Sequence, residues 1–214
     1  PDADENLAAE GVDPARVTRV GNIMMDSFEL IRDKIEAEDS AGKFGLAPKS
    51  YGVVTFHRPS NVDDRAILEE IVNQLVAASE RLPLVFPVHP RTRKQLQETG
   101  LMAKLEAATN IRLEEPISYR PFMSLMSEAK LVVTDSGGLQ EETTYLGIPC
   151  MTLRENTERP ITISQGTNKL VKPADLLTHI EDVMNKRWPT GQCPEFWDGK
   201  TAQRIVEDLR RRSA

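Results

Sequence analysis

Short runs of β-branched and aliphatic residues alternate along the chain with longer stretches in which apolar positions recur at helical spacing. That alternation predicts repeated strand-helix units feeding one parallel sheet. Five runs predict strands: Tyr51 to Phe56, Leu84 to Val88, Asn110 to Leu113, Leu131 to Thr134 and Pro149 to Leu153. Weaker runs at Val17 to Val20 and Thr167 to Val171 extend the expected sheet to about seven strands. Near Asp63 to Glu80, Ile67, Ile71 and Leu75 stand beside Leu68, Val72 and Val76, two adjacent rows that make one broad apolar helix face. Near Pro173 to Lys186, a proline suited to a first turn precedes Leu176, Leu177, Ile180, Val183 and Met184 in the same arrangement. Both helices are expected to cover the sheet. Pro189, Gly191 and Pro194 then break regular structure before a last amphipathic helix with Ala202, Ile205, Val206 and Leu209. Arg210, Arg211 and Arg212 complement that helix's dipole and read as structural. The expected division is an appendage over 1–16, a Rossmann-like domain over 17–187, and an irregular segment with a closing helix over 188–214.

Composition narrows the function classes. With 214 residues, 39% hydrophobic and 28% charged, the chain has the make-up of a globular protein with a sizeable core. Lys and Arg number 27 against 33 Asp and Glu, a net charge of -6, which disfavours a nucleic-acid backbone as partner. Two cysteines, Cys150 and Cys193, and three histidines supply neither a disulfide framework nor a zinc site. No apolar run approaches the roughly 20 residues that span a bilayer, no signal peptide is evident, and a reducing cytoplasm is the expected compartment. The first residue is not Met, and we expect the chain to begin partway through a longer gene product.

In an open α/β sheet, ligands collect outside the carboxyl ends of the strands, where loops and helix amino termini converge. The unusual residues fall there: Gly21-Asn22, His57-Arg58-Pro59, His89-Pro90-Arg91, Asp135-Ser136-Gly137-Gly138, and Arg154 to Pro160. The Ser136-Gly137-Gly138 turn ends a strand and opens a helix, so its amides point outward and its glycines admit an anion closely. It reads as a phosphate cradle or as an ordinary tight turn with Ser136 as N-cap. A capping box would place Glu or Gln three residues later, but Leu139 stands there, so no side chain obviously occupies the amides. Glu142, one turn inward, is either a ribose-binding carboxylate or a solvated helix acid. His57 and Arg58 could face a diphosphate, or His57 could be a satisfied core histidine. His89 is a loop residue or a ligand at the same rim, and Arg159 is a stronger anion candidate than Arg91, which with Arg93 and Lys94 reads as a solvated basic face. His179 reads as a surface residue; Met123 and Met126 read as core, and Phe122 as core or as a neighbour of a base. Neither Walker A nor G-x-G-x-x-G occurs.

Taken together, His57-Arg58-Pro59-Ser60-Asn61, Pro87-Val88-His89-Pro90, Tyr119-Arg120-Pro121-Phe122, Thr134 to Glu142 and Thr157-Glu158-Arg159-Pro160 closely resemble non-hydrolysing UDP-N-acetylglucosamine 2-epimerases. The likeness runs from about Val17 to Val171, with D-S-G-G-x-Q-E-E and E-R-P its most specific strings. It implies the carboxyl-terminal half of a glycosyltransferase-B type fold, a missing amino-terminal domain as partner, and UDP and UDP-N-acetylglucosamine as ligands. A homodimer is compatible with it. The resemblance implies that Ser136, Gly137 and Gly138 hold the diphosphate, Glu142 the ribose, Phe122 the uracil neighbourhood, and Arg159 the phosphates. It makes His57 the catalytic histidine that stabilises departing UDP, and Arg58 with His89 a candidate activator site. Pro59-Ser60 replaces the Arg-Glu often found after that arginine, a departure that bears on the activator. The implied reaction needs no metal or redox cofactor, and its proton-carrying acids belong to the amino-terminal domain. A glycosyltransferase donor domain and a non-catalytic nucleotide-sugar sensor are the rival readings.

Overall fold

The computed structural model describes residues 2–213. Six parallel strands, β1 (Gly52–Thr55), β2 (Leu84–Pro87), β3 (Ile111–Glu114), β4 (Leu131–Thr134), β5 (Cys150–Thr152) and β6 (Asn168–Leu170), form one sheet in the order β3-β2-β1-β4-β5-β6. This is a Rossmann-like α/β sheet of the kind that builds each half of a glycosyltransferase-B type fold. Chain order reverses between β1 and β4, which opens a crevice at their carboxyl ends.

The five firm strand expectations and the weaker one over 167–171 correspond to the six strands. The expected strand at Val17 to Val20 is not one: this segment is irregular. Its polar side chains are taken by other partners, Thr18 donating to Asp208 at 3.1 Å and Arg19 to Asp4 at 2.8 Å, so it runs beside the closing helix instead of joining a sheet edge.

Strand alternation divides the interior into two cores. Val54, Val133 and Met151 face one side, with Leu68, Ile71, Val72 and Leu75 of the Arg65–Ser79 helix and Leu176, Ile180 and Val183 of the Leu176–Met184 helix. Val53, Val132 and Cys150 face the other, with Met123, Leu125 and Met126 of the Tyr119–Ser127 helix. Each fully buried aliphatic chain contributes roughly 1.5–3 kcal/mol, which holds the strands at fixed register beneath the loops. Asp64 caps the Arg65–Ser79 helix by accepting from the amides of Ala66 and Ile67, so the helix starts just beyond the predicted Asp63. Pro173–Asp175 forms a single 3-10 turn before the Leu176–Met184 helix.

The segment after Trp188 is irregular, as its prolines imply, and the closing helix Thr201–Ser213 returns to pack on the Ile23–Glu29 helix. Asp26 fixes that return: its carboxylate accepts from the amides of Thr201 at 3.0 Å and Ala202 at 2.8 Å, the first orphan donors of the closing helix. Gly21 sits at φ 111°, and a side chain there would collide with the Phe196 carbonyl, so only glycine lets the two segments meet. No helix among the described residues is long and apolar enough to cross a membrane. Asp26→Ala should cost about 1–2 kcal/mol in urea unfolding and speed amide exchange across 201–213 while leaving β1 and β4 protected. Uniform loss of protection would show that the closing helix is not separately anchored.

Candidate functional site

Register decides what lies at the crevice. Thr55 of β1 pairs with Thr134 of β4, so the two chains leave the sheet side by side and His57 emerges next to Asp135. Asp135 is fully buried. Its Oδ2 accepts from the His57 amide at 3.0 Å, the Arg58 amide at 2.8 Å and the Asn61 side-chain amide at 2.9 Å. His57 Nδ1 lies 3.3 Å from Oδ1, and Arg58 Nε donates to the Asp135 carbonyl at 2.9 Å. Asn61 also donates to the carbonyl of Leu153 at 3.0 Å, just past β5. One carboxylate therefore joins the loops after β1 and β4, and through Asn61 the loop after β5. A buried carboxylate is tolerable only with such a full set of donors.

The Gly137–Tyr145 helix starts here, with Ser136 at its N-cap in extended conformation and making no side-chain cap bond. The Ser136 amide donates to Thr134 Oγ1 at 3.0 Å. Gly138 faces the Met24 methyl, 3.6 Å from where a Cβ would stand. Gly137 faces a carboxylate: Glu158 Oε1 lies 2.6 Å from its Cβ position. Among the described residues no side chain hydrogen-bonds the Gly137 and Gly138 amides, in line with the expectation, but Glu158 arrives from the loop after β5 to stand over Gly137. Arg154 Nη2 holds Glu158 at 2.6 Å and Arg58 Nη2 lies at 3.7 Å. The hydrogen bond from Arg154 holds the Glu158 carboxyl down at about 2.

The next residues of the helix point to separate partners. Gln140, fully buried, accepts from Thr157 Oγ1 at 2.6 Å, and that same hydroxyl receives the Arg159 amide at 2.9 Å, which moors the 157–159 loop. Glu141 pairs with Arg159 Nε at 3.1 Å and accepts from Asn22 at 3.0 Å, and burial raises its carboxyl against the pull of Arg159. Glu142 is buried and accepts from the Tyr119 hydroxyl at 2.9 Å. Burial pushes its carboxyl up to about 7, with the Tyr119 bond opposing and the Glu141 charge adding. Glu142 is not a solvated helix acid.

The profile of UDP-N-acetylglucosamine 2-epimerases matches residues 1–210. The chain belongs to that family. It is 36% identical over 213 residues to the UDP-N-acetylglucosamine 2-epimerase of Methanococcus maripaludis, covering 95% of this chain and 57% of that relative. It is 35% identical to the UDP-2,3-diacetamido-2,3-dideoxy-D-glucuronate 2-epimerase of Pseudomonas aeruginosa, covering 96% of this chain and 56% of the relative. The crystal structure of Methanocaldococcus jannaschii UDP-GlcNAc 2-epimerase in complex with UDP-GlcNAc and UDP superposes with a TM-score of 0.82 at 36% identity, over 98% of this chain and 59% of that one. The chain thus spans little more than half the length of these family members.

Of the residues singled out in the sequence, Ser136, Gly137, Gly138, His57, Arg58, Glu142 and Arg159 gather at this corner. His89 joins them through His57, their rings 5.0 Å apart, while its Nδ1 accepts from the Arg91 amide at 3.1 Å. Arg58 points to the Asp135 carbonyl and Glu158. Phe122 is half-buried against the second core, one turn beyond Tyr119. Met123 and Met126 are core. Arg91 pairs with Asp63 and Lys94 is exposed, as a solvated face requires, whereas Arg93 is half-buried and bonded to Glu115 and the Glu114 carbonyl. His179, expected at the surface, is half-buried with its ring 5.8 Å from Trp188. Sequence reasoning quoted Tyr119, Asn61 and Arg154 in its motifs and rim segments but gave them no role; for Tyr119 the available signal was that a buried Glu142 needs a donor. A groove of about 940 Å³ is lined by Arg58, Asn61, Arg154 and Lys172.

Asp135→Ala should destabilise the chain by about 3 kcal/mol in urea, because several buried donors lose their acceptor together. A loss under about 1 kcal/mol would remove Asp135 from its central place. Glu142 carries a pH signature. Its folded-state value lies above the ordinary 4.5, so the neutral form favours folding, and stability falls as pH rises from about 4.5 to about 7. Glu142→Gln should abolish that decline and leave the ligand-free chain roughly 2–3 kcal/mol more stable at pH 8. An unchanged pH profile in the variant would contradict it.

Proposed function

We propose that this chain is the nucleotide-binding part of a UDP-N-acetylglucosamine 2-epimerase. The observation that carries the reading is a strand-to-helix corner whose N-cap side chain leaves the helix amides free, set beside a buried Glu142 and a histidine-arginine turn. Helix amino termini attract anions through outward amides and the helix dipole. Ser136, Gly137 and Gly138 then hold the diphosphate, Glu142 accepts from the ribose hydroxyls, and Phe122 lies by the uracil. Arg159 reaches phosphate with the guanidinium edge left open by its ion pair with Glu141 and its hydrogen bond to the Glu158 carbonyl. His57, its Nδ1 held toward Asp135, presents its other nitrogen to the departing UDP and stabilises developing charge.

In the reaction, loss of the C2 proton and departure of UDP from C1 give 2-acetamidoglucal. Return of UDP to C1 with protonation on the other face of C2 gives the epimer. Four carboxylates at the corner have resting partners: Asp135 the His57 turn, Glu141 Arg159, Glu142 Tyr119, and Glu158 Arg154. In this reading, as the family resemblance implies, proton transfer at C2 falls to acids outside this chain, in the remaining length of its relatives. The proposed compartment is the cytoplasm.

Calorimetry should show UDP binding, and Glu142→Ala should weaken it roughly tenfold to hundredfold, the loss of hydrogen bonds to a charged acceptor. Affinity should also fall as pH drops below about 7, because Glu142 must shed its proton to accept both hydroxyls, and the variant should lack that component. Equal binding by the variant removes Glu142 from the site. Followed by proton NMR, the chain alone should convert no UDP-N-acetylglucosamine; measurable turnover would place the acids within it.

A further inference from the structure

Glu158 is an anion standing where the proposed function puts another anion. Its Oε1 fills the space above Gly137 that the absent side chain leaves, 2.6 Å from the Cβ position. It is kept there by cations, not by the cradle itself: Arg154 Nη2 at 2.6 Å on one oxygen and Arg58 Nη2 at 3.7 Å on the other. Arg154 is only 10% exposed, and its Nη1 is buried with no hydrogen-bond partner. A guanidinium spends two nitrogens on a well-matched carboxylate or phosphate; here one is spent and one is orphaned. The arrangement is that of a site whose full anionic partner is larger than Glu158. The side chain of Glu158 is 44% exposed, so it has room to leave without disturbing the core. Its loop stays moored by Thr157 on Gln140.

Resting on the nucleotide assignment above, we infer that Glu158 is a resident counter-ion that the diphosphate displaces from Gly137, and that Arg154, released with both terminal nitrogens, is a phosphate-binding residue. Glu158 then sets a threshold for entry: an anion that cannot satisfy Arg154 and Arg58 better than Glu158 does not displace it. A nucleoside without phosphate never meets the gate. The gate also keeps two guanidiniums paired while the site is empty.

Titration calorimetry of the full chain with UDP, inorganic pyrophosphate and uridine separates the possibilities. Glu158→Gln should bind UDP and pyrophosphate about tenfold tighter, since a like charge near the phosphates is gone, with uridine unchanged. Arg154→Gln should weaken UDP and pyrophosphate by about tenfold or more, also in the Glu158→Gln background, and again spare uridine. Glu158→Ala is a second variant, and thermal melts confirm that each chain is folded. Equal or weaker UDP binding by both Glu158 variants, or a parallel change with uridine, would make Glu158 a structural post and overturn the inference while UDP still binds the parent chain. Absence of UDP binding by the parent chain would overturn the nucleotide assignment and this inference with it.

Discussion

The burial of one carboxylate governs this crevice. Asp135 sits at the point where chain order reverses, and its oxygens gather the amides of His57 and Arg58 and the side chain of Asn61. A charge so placed is tolerated only when its donors are complete, so the loops after β1 and β4 have little freedom to separate. Pre-organisation of the His57-Arg58 turn beside the glycine corner follows from that constraint. It needs no ligand to create it.

The helix that follows distributes its polar residues with little redundancy. Gln140 moors the loop after β5, Glu141 holds Asn22 and Arg159, and Glu142 takes the Tyr119 hydroxyl. Three consecutive side chains point about 100° apart around a helix, so three neighbours can each receive one. That geometry accounts for a string of polar residues at positions where an amphipathic helix would carry apolar ones. It also explains why the helix buries a run of polar residues from Gln140 to Thr144 and still packs. Electrostatically the corner is mixed: amide dipoles and two arginines favour an anion, and Glu158 already supplies one.

Much of the fold was legible because sheet and helix periods are local. Leu84 to Val88 and Leu131 to Thr134 announce strands by their own composition, and the rows of Leu68, Val72 and Leu75 announce a helix face. Val17 to Val20 is a weaker β-branched run, and its Thr18 and Arg19 are taken by Asp208 and Asp4, so polar contacts override it. The resemblance of D-S-G-G-x-Q-E-E and E-R-P picked out the family and the residues now found at the corner. What each does there could not be read the same way.

By itself the chain of residues determined the class of fold, the order of the crossover units, and the rim on which polar residues collect, because those follow from periodicity and from where strands end. Tertiary structure alone decided that Tyr119 faces Glu142, that His89 lies by His57, and that Glu158 stands over Gly137. Each of these pairs lies far apart in sequence and meets only when β1 to β5 align at fixed register. Burial then changes the chemistry: the same Glu142 that reads as an ordinary helix acid becomes a carboxyl held up to about 7, because desolvation belongs to the folded environment and not to the residue.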